Sequence, residues 1–492
     1  LVGNVLSHDP DLVFFAGDQI YEGDLTRAER DPPEAARLDY LYKWYRFLWA
    51  FRDLLRDRPS VIIPDDHDYY HGNIWGAGGR RAVGRDGMRA QDAGGFTMPP
   101  RFVNMVHQTQ CGNLPPPFDP TPIDQDISVY YTAVNYGGMS FAVLADRMFK
   151  SSASPLVPDA QVINGWRQNL DFPPEDMDVE GAVLLGGRQL DFLDHWASDW
   201  SDDTWMKVCL SQTIFSNVAT IPEGSRSDGR VPTLQVAGPG EYPAGDVFAV
   251  DTDSNGWPQS GRNEALRRLR KAFAMHVAGD QHLSSMTQYG IDAWRDASYA
   301  FCVPAIANTF PRRWFPPTPG LHRTPTDPDY TGDFHDGFGN MVTVLAVGNP
   351  QRWGVQPALL HERSPGYGII RFDRATRDIV CECWPRFANV TDEDPPQYPG
   401  WPVRFNQLDN YGRLATHWLP TIEAEGTPVL KVVHEATGEL VYAVRMASNR
   451  FRPGVFEEGT YTIIIEGPTT RTLPGLEAKT NVDAAGTRRI RF

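Results

Sequence analysis

Three short runs in this chain each end a hydrophobic stretch on side chains that bind metals. Leu12-Val-Phe-Phe-Ala-Gly17 closes on Asp18, with Tyr21 and Glu22 within the next turn. Val61-Ile-Ile-Pro64 leads into Asp65, Asp66, His67 and Asp68. Met275-His-Val-Ala-Gly279 leads into Asp280 and His282. Each apolar run has the length of a strand buried on both faces, as in a parallel sheet. Gly17 lets the backbone turn sharply, so Asp18 stands just past a strand's carboxyl end, where open α/β sheets place their ligands. Carboxylate and phenol oxygens are hard donors suited to hard cations. One such run alone reads equally well as a turn with a capping Asp. Three of them on neighbouring parallel strands would gather carboxylates into a cluster too costly to bury without cations.

Taken in order, Gly17-Asp-Gln-Ile-Tyr-Glu22, Pro64-Asp-Asp-His-Asp68 and Gly279-Asp-Gln-His-Leu283 resemble the PhoD-type alkaline phosphatase/phosphodiesterase family of calcineurin-like metallophosphoesterases. Phe141-Ala-Val-Leu-Ala-Asp146-Arg147-Met-Phe-Lys150 resembles that family's strand ending in an Asp-x-Arg type motif, although here Arg follows Asp directly. Leu185 to Leu190 and Lys207 to Thr213 resemble the helix and strand that follow. The resemblance spans residues 1–390. It implies an α/β fold, a metallophosphoesterase sandwich of mixed β-sheets flanked by helices.

The resemblance also implies an activity, the hydrolysis of phosphate monoesters or diesters. Asp18 would bridge two cations. Tyr21 and His282 would complete one, and Asp66 and Asp280 would serve the other. A hydroxide held by the metals would attack phosphorus in line. His67 would protonate the leaving oxygen or bind the phosphoryl group. Arg147 is the second candidate catalytic residue: it or Lys150 would pair with the phosphate or the metal-site carboxylates. A structural ion pair between Asp146 and Arg147 is the equal alternative. Iron(III) at the tyrosine-ligated position with calcium beside it is the implied centre, with other divalent metals as alternatives. The implied substrate is a small-molecule, lipid or polymer phosphate ester, and the implied location secreted or periplasmic. Related enzymes carry a first metal ligand on an earlier strand. Ahead of Asp18 this chain reads as a surface helix, so that ligand is expected to be lacking.

The elements that must position these groups follow from pattern. Asp31 caps a helix with Pro32 at its first position and Glu34 at its third. Leu38, Leu41, Tyr45, Leu48 and Leu55 recur at helical spacing, which predicts that this face is buried against the sheet. With the two flanking strands it makes one βαβ unit. Residues 72–125 form a long Gly/Pro-rich excursion with a short helix near Phe102 to Gln108. Its arginines Arg80, Arg81, Arg85 and Arg89 read as a solvated basic loop or as substrate contacts. Val129 to Asp146 reads as a β-hairpin turning at Gly137-Gly138, Arg188 to Trp200 as a helix, and Lys207 to Leu210 as a strand with Gln212 as a weak ligand candidate. Asp251-Thr-Asp253-Ser-Asn255 opens like a calcium loop but has Arg262 where the closing acid belongs, so an Asx-turn cluster is expected. Gly366 to Asp373 and Asp378 to Trp384 read as a closing hairpin. Residues 391–415 read as a linker. Residues 416–492 read as a small all-β C-terminal domain, an antiparallel sandwich without helices.

Composition bounds the rest. At 492 residues, with 41% apolar and 22% charged residues, the chain is globular. A net charge of −16 argues against a nucleic-acid partner. No apolar stretch is long enough for a membrane span. The 5 cysteines are too few and scattered for a disulfide framework, and Cys381 and Cys383 read as a buried pair. A metal-binding but inactive extracellular domain, with an adhesion or carbohydrate module at its C-terminus, is the competing reading. A phosphatase with a Ser or Thr nucleophile would need that residue at a strand end among the ligands, and none of the motifs offers one.

Overall fold

The first two motif runs form a parallel pair, Val13–Phe15 beside Ser60–Ile62, with Phe15 opposite Ile62. The computed structural model, which describes residues 1–24, 26–85 and 87–492, connects them through the helix Pro33–Leu55. The third run, Met275–Gly279, lies at the heart of an eight-stranded sheet. It is parallel to Met206–Thr213 on one side and to Tyr299–Cys302 on the other. Met139–Val143 continues the parallel core, and Thr132–Tyr136, Ser285–Tyr289, Met341–Val347 and Gly332–His335 complete the sheet in antiparallel pairings. Every residue of Met206–Thr213 and Met275–Gly279 is buried, as expected of strands covered on both faces.

A second layer faces this sheet. Val61 and Ile63 from the first pair join Val208 and Val277 from the large sheet in one core, together with Ile379, Cys381 and Cys383. The last three come from a three-stranded sheet of Gly366–Phe372, Asp378–Pro385 and Val403–Asn406. The result is a sandwich of mixed sheets flanked by helices, as expected. Phe14, Ile369 and Phe372 from the smaller sheets, with Phe141, Val208 and Val277 from the large one, line a cavity of about 840 Å³. The residues ahead of Val13 form the short helix Val2–Ser7.

Local signals hold well. Gly137 and Gly138 both take positive φ (61° and 74°), the turn that joins Tyr136 to Met139 in a tight hairpin. The helices Pro100–Gln110 and Gly186–Ser198 lie where the pattern set them. All five cysteines are free and buried, Cys381 and Cys383 among them.

Three expectations are corrected. The helix Pro33–Leu55 buries Ala36, Tyr40, Trp44, Phe47 and Leu54, not the Leu38, Leu41, Tyr45 and Leu48 face, which is exposed. Both faces are apolar, and edge-to-face packing of Phe15 on Phe47 and Phe51 selects the inner one. Asp31 makes no cap, because the N-cap position falls on Pro32. The stretch 391–415 is built into the fold rather than strung between units. Tyr398 and Trp401 lie in the core, and Val403–Asn406 pairs with Asp378–Pro385.

From His417 onward the chain is strands and one 3₁₀ turn, with a core of its own around Leu430, Val432, Ile463 and Ile465. Most of its pairings are antiparallel, but Thr421–Ala424 runs parallel to Thr487–Ile490. Trp200 and Phe273 of the preceding fold belong to the same cluster.

Candidate metal centre

The three motif ends meet. Asp18 follows Gly17 (φ 101°) and itself takes φ 56°, while Asp280 and His282 take 64° and 52°. Asp and His tolerate this left-handed region better than most residues. Such strain clusters at sites where a side chain must be aimed. One ligand atom each from Asp18, Asp66 and His67 lie within 4.8 Å of one another. The backbone N–H of His67 donates to both Asp18 Oδ1 (3.2 Å) and Asp66 Oδ1 (2.9 Å). Tyr21 Oη and His282 Nε2 are 2.8 Å apart. His282 Nδ1 lies 2.7 Å from the carbonyl of Phe310, which only accepts, so Nδ1 carries the proton and Nε2 presents its lone pair. The carboxylates of Asp18, Asp66 and Asp280 all act electrostatically on the Tyr21 phenol.

Electrostatics mark the cluster as short of positive charge. Burial pushes the Asp18 carboxyl up to about 8, reinforced by Asp65, Asp68 and Asp280. Asp65 and Asp66 are raised well above the usual carboxylate range, again chiefly by burial. Burial disfavours the charged His67, yet Asp66, Asp18 and Glu22 outweigh it and push its pKa to about 11. Asp65 Oδ2 is buried with no hydrogen-bond partner. An orphaned carboxylate oxygen beside converging oxygen and nitrogen donors is what a cation site looks like before the cation's own charge is counted. The donor set fits a centre of hard cations.

A second layer aims these groups. Glu22 Oε2 holds His67 Nδ1 at 2.8 Å and is itself paired to Arg30. Asp68 clamps the first two motifs together. Its carboxylate accepts from the backbone N–H groups of Asp18 (2.9 Å), Ile20 (3.2 Å) and Asp65 (2.9 Å), and from Gln110 (2.9 Å). Asp280 Oδ2 accepts from the Thr213 hydroxyl at 2.8 Å. Burial would raise the Asp280 carboxyl, but Arg147 and Arg312 hold it below the usual range.

Arg147 is 2% exposed, and its donors are committed to protein carboxylates: Asp65 at 2.9 Å, Asp253 at 2.6 Å and Asp280 at 3.1 Å. Of its two anticipated roles, the geometry matches the pairing with site carboxylates. The alternative Asp146–Arg147 ion pair does not form: Asp146 accepts instead from Gln212 N–H, Thr213 N–H and Asn255. Lys150 is likewise buried, donating to the carbonyls of Asp253 and Ser254. Gln212 donates its amide hydrogens to Pro64 and Tyr130, and its Oε1, the atom a cation would use, accepts from the Asp146 N–H at 3.3 Å. The Asp251 loop is an Asx turn, Asp253 N–H to Asp251 Oδ1 at 3.0 Å, with Arg312 on the other oxygen. Arg89 pairs with Asp92, and Arg80 donates to backbone carbonyls.

Of the residues singled out from the sequence, Asp18, Asp66 and His67 lie together, and His282 stands against Tyr21. Asp65, Asp68, Asp253 and Arg312 were not anticipated there, and Glu22, read as an oxygen donor to the ion, instead holds His67. Asp65 and Asp68 lie inside a motif run and were legible as acids. Asp253 and Arg312 reach the site from distant loops with no local signal.

A search of curated proteins finds no match. Among solved structures, one described as the structure of PhoD is similar, with 16% identity and a TM-score of 0.46. The alignment covers 79% of this chain and 62% of that one, so the chain spans less than two thirds of its length. The family model described as PhoD-like phosphatase matches residues 1–308, a stretch that contains all three motif ends. The chain belongs to the PhoD-like phosphatase family.

Proposed function

We propose that this chain hydrolyses phosphate monoesters or diesters at the Asp18–Asp66–His67 cluster, with iron(III) and calcium as its cations. The observation that carries the reading is that Asp18, Asp66 and His67 present ligand atoms within 4.8 Å of one another, while His282 of the third strand end stands 2.8 Å from Tyr21. Asp18, Tyr21 and His282 would hold one cation, and Asp18, Asp66 and Asp280 the other. Bound there, the cations supply Lewis acidity, neutralising charge on the phosphoryl oxygens and lowering the pKa of water. The residues of the chain do the rest. His67, 26% exposed at its side chain, is held at Nδ1 by Glu22, which leaves Nε2 to meet the substrate. From Nε2 it delivers a proton to the leaving oxygen. Arg147 acts as a positioning residue, holding Asp280 and Asp65 in place without touching the substrate.

Two measurements test this together. Elemental mass spectrometry of the purified chain should find iron with calcium. Zinc or manganese instead would keep the hydrolase and reject that metal assignment. No bound metal after reconstitution would reject the centre. His67→Asn should then lower kcat by roughly 10²–10⁴-fold on an alkyl phosphate. The loss should be smaller on p-nitrophenyl phosphate, whose leaving group needs no proton. Unchanged hydrolysis would favour a metal-binding domain without catalysis.

A further inference from the structure

Among the residues that the helix Pro33–Leu55 buries, Lys43 alone is charged. It is 4% exposed, in the company of Ala36, Tyr40, Trp44, Phe47 and Leu54. Lysine is almost never buried unless paired, because its ammonium gives up its water. Replacing a buried ion pair by apolar side chains of similar volume often leaves stability unchanged or raises it. Packing of the helix therefore does not call for a charge here. What the charge touches does.

Lys43 Nζ donates to the Glu22 carbonyl at 2.6 Å and pairs with Asp39, one helical turn back, at 2.7 Å. Glu22 is the residue whose carboxylate holds His67 Nδ1, and its other oxygen accepts from Arg30 at 2.8 Å. Glu22 is thus fixed twice, its backbone by Lys43 and its carboxylate by Arg30. The backbone of His67 is tied to the same cluster. His67 opens the 3₁₀ turn His67–Tyr69, which closes on Tyr70 at φ 62° with its N–H on the His67 carbonyl at 3.0 Å. The Tyr70 hydroxyl donates to Asp39 Oδ2 at 2.8 Å. Its ring lies 5.5 Å from Lys43 Nζ and 5.7 Å from the Arg30 guanidinium, within cation–π range of both. Asp39 Oδ2 also accepts from the Glu29 N–H at 3.1 Å. Imidazole and backbone of His67 both lead back to one buried pair.

We propose that Lys43 and Asp39 are positioning residues for His67, fixing Glu22 and the Tyr70 turn so that Nε2 is aimed at the leaving oxygen. The inference rests on the proton delivery proposed above. Neither residue reaches the substrate. Their effect is geometric, and a misplacement of about 1 Å at a reacting group costs up to roughly 10²-fold in rate.

Lys43→Met, read on two substrates, is the test. On an alkyl phosphate kcat should fall roughly 10–100-fold with KM unchanged. The loss on p-nitrophenyl phosphate should be smaller, since that leaving group needs no proton. In a His67→Asn background Lys43→Met should change either rate by no more than about twofold, because the two substitutions remove one function. Lys43→Met/Asp39→Asn removes the buried charges together and keeps an amide oxygen for the Tyr70 hydroxyl and the Glu29 N–H. It should show the same pattern at a wild-type melting temperature. Equal losses on both substrates, or losses that multiply with those of His67→Asn, would overturn the proposal and leave the pair a tether of the fold. A His67→Asn variant indifferent to the leaving group would count against the proton delivery itself. The positioning role is then decided by nitrogen NMR of the full chain with labelled histidines. The Nδ1–H signal of His67, held by Glu22, should be resolved in the wild type and lost to rapid exchange in Lys43→Met. A signal that persists unchanged would overturn the proposal.

Discussion

Arg147 illustrates how burial decides what a charged residue does. An exposed arginine beside a phosphate site is a ligand for substrate. This one is sealed among Asp65, Asp253 and Asp280. Removing one partner from a buried ion network leaves the others uncompensated, at a cost of about 3–5 kcal/mol. Arg147→Met should therefore lower the free energy of urea unfolding by about that much, with a matching fall in the midpoint. Arg147→Lys should not rescue it, since an ammonium cannot span three carboxylates in a planar fork. If Arg147→Met abolished hydrolysis while the unfolding midpoint stayed put, the guanidinium would have to act on substrate after all. Asp68 makes the complementary point. It is fully buried yet offers no free oxygen, because both are spent on backbone N–H groups and Gln110. It ties two motifs together rather than holding a cation.

At the scale of elements, the site depends on how each strand ends. Gly17 sits at φ 101°, and a Cβ there would come within 2.5 Å of the Asp65 Cβ. Gly17→Ala should cost about 1–3 kcal/mol from strain alone, with the clash on top. Lower melting temperature and reduced metal content should appear together. A variant with wild-type melting would mean that the turn relaxes freely.

Two buried histidines report on how the elements are assembled. His107, on the Pro100–Gln110 helix, is bonded to Ser128 and Tyr69, and burial depresses its pKa to about 3. His276, in the central strand, lies between Ser211 and Tyr289 with its pKa likewise lowered to about 3. The unfolded chain takes up protons on both below about pH 6.5, whereas the folded protein stays neutral there until about 3. The unfolded state therefore binds more protons in that window, and stability falls as pH drops through it. Each histidine should contribute a loss of about 1.4 kcal/mol per pH unit. Comparing urea midpoints at pH 8 and pH 5 for the wild type and His107→Gln should show a flatter dependence in the variant. Equal slopes would place the acid sensitivity elsewhere.

At the scale of the whole molecule, the C-terminal sheets are joined to the rest by burial. Trp200, Phe273 and Tyr411 are 2%, 5% and 6% exposed because Tyr442 and its neighbours cover them. Arg445 also donates to the carbonyls of Thr204 (2.6 Å) and Trp200 (2.7 Å). A chain ended at Gly412 would uncover all three aromatics. It should melt lower and scatter light on heating, whereas the full chain should unfold in one cooperative transition. A 1–412 piece that stays soluble with unchanged melting would show the C-terminal sheets to be an independent appendage.

By itself the sequence determined where these strands end and which acids and histidines stand there. Short apolar runs closing on Gly-Asp, Pro-Asp-Asp-His and Gly-Asp-Gln-His are local patterns, and local patterns are what backbone sterics and side-chain period control. The hairpin at Gly137-Gly138 was legible for the same reason. Tertiary structure alone decided the rest. Which face of the Pro33–Leu55 helix turns inward depended on the aromatic partner waiting at Phe15, since both faces carry the same period. Whether residues 391–415 linked or built the fold depended on a strand edge available at Asp378–Pro385. The roles of Arg147, Asp253 and Arg312 depended on contacts among residues more than fifty positions apart. Such contacts leave no trace in spacing, because burial and charge pairing follow distance in space and not along the chain.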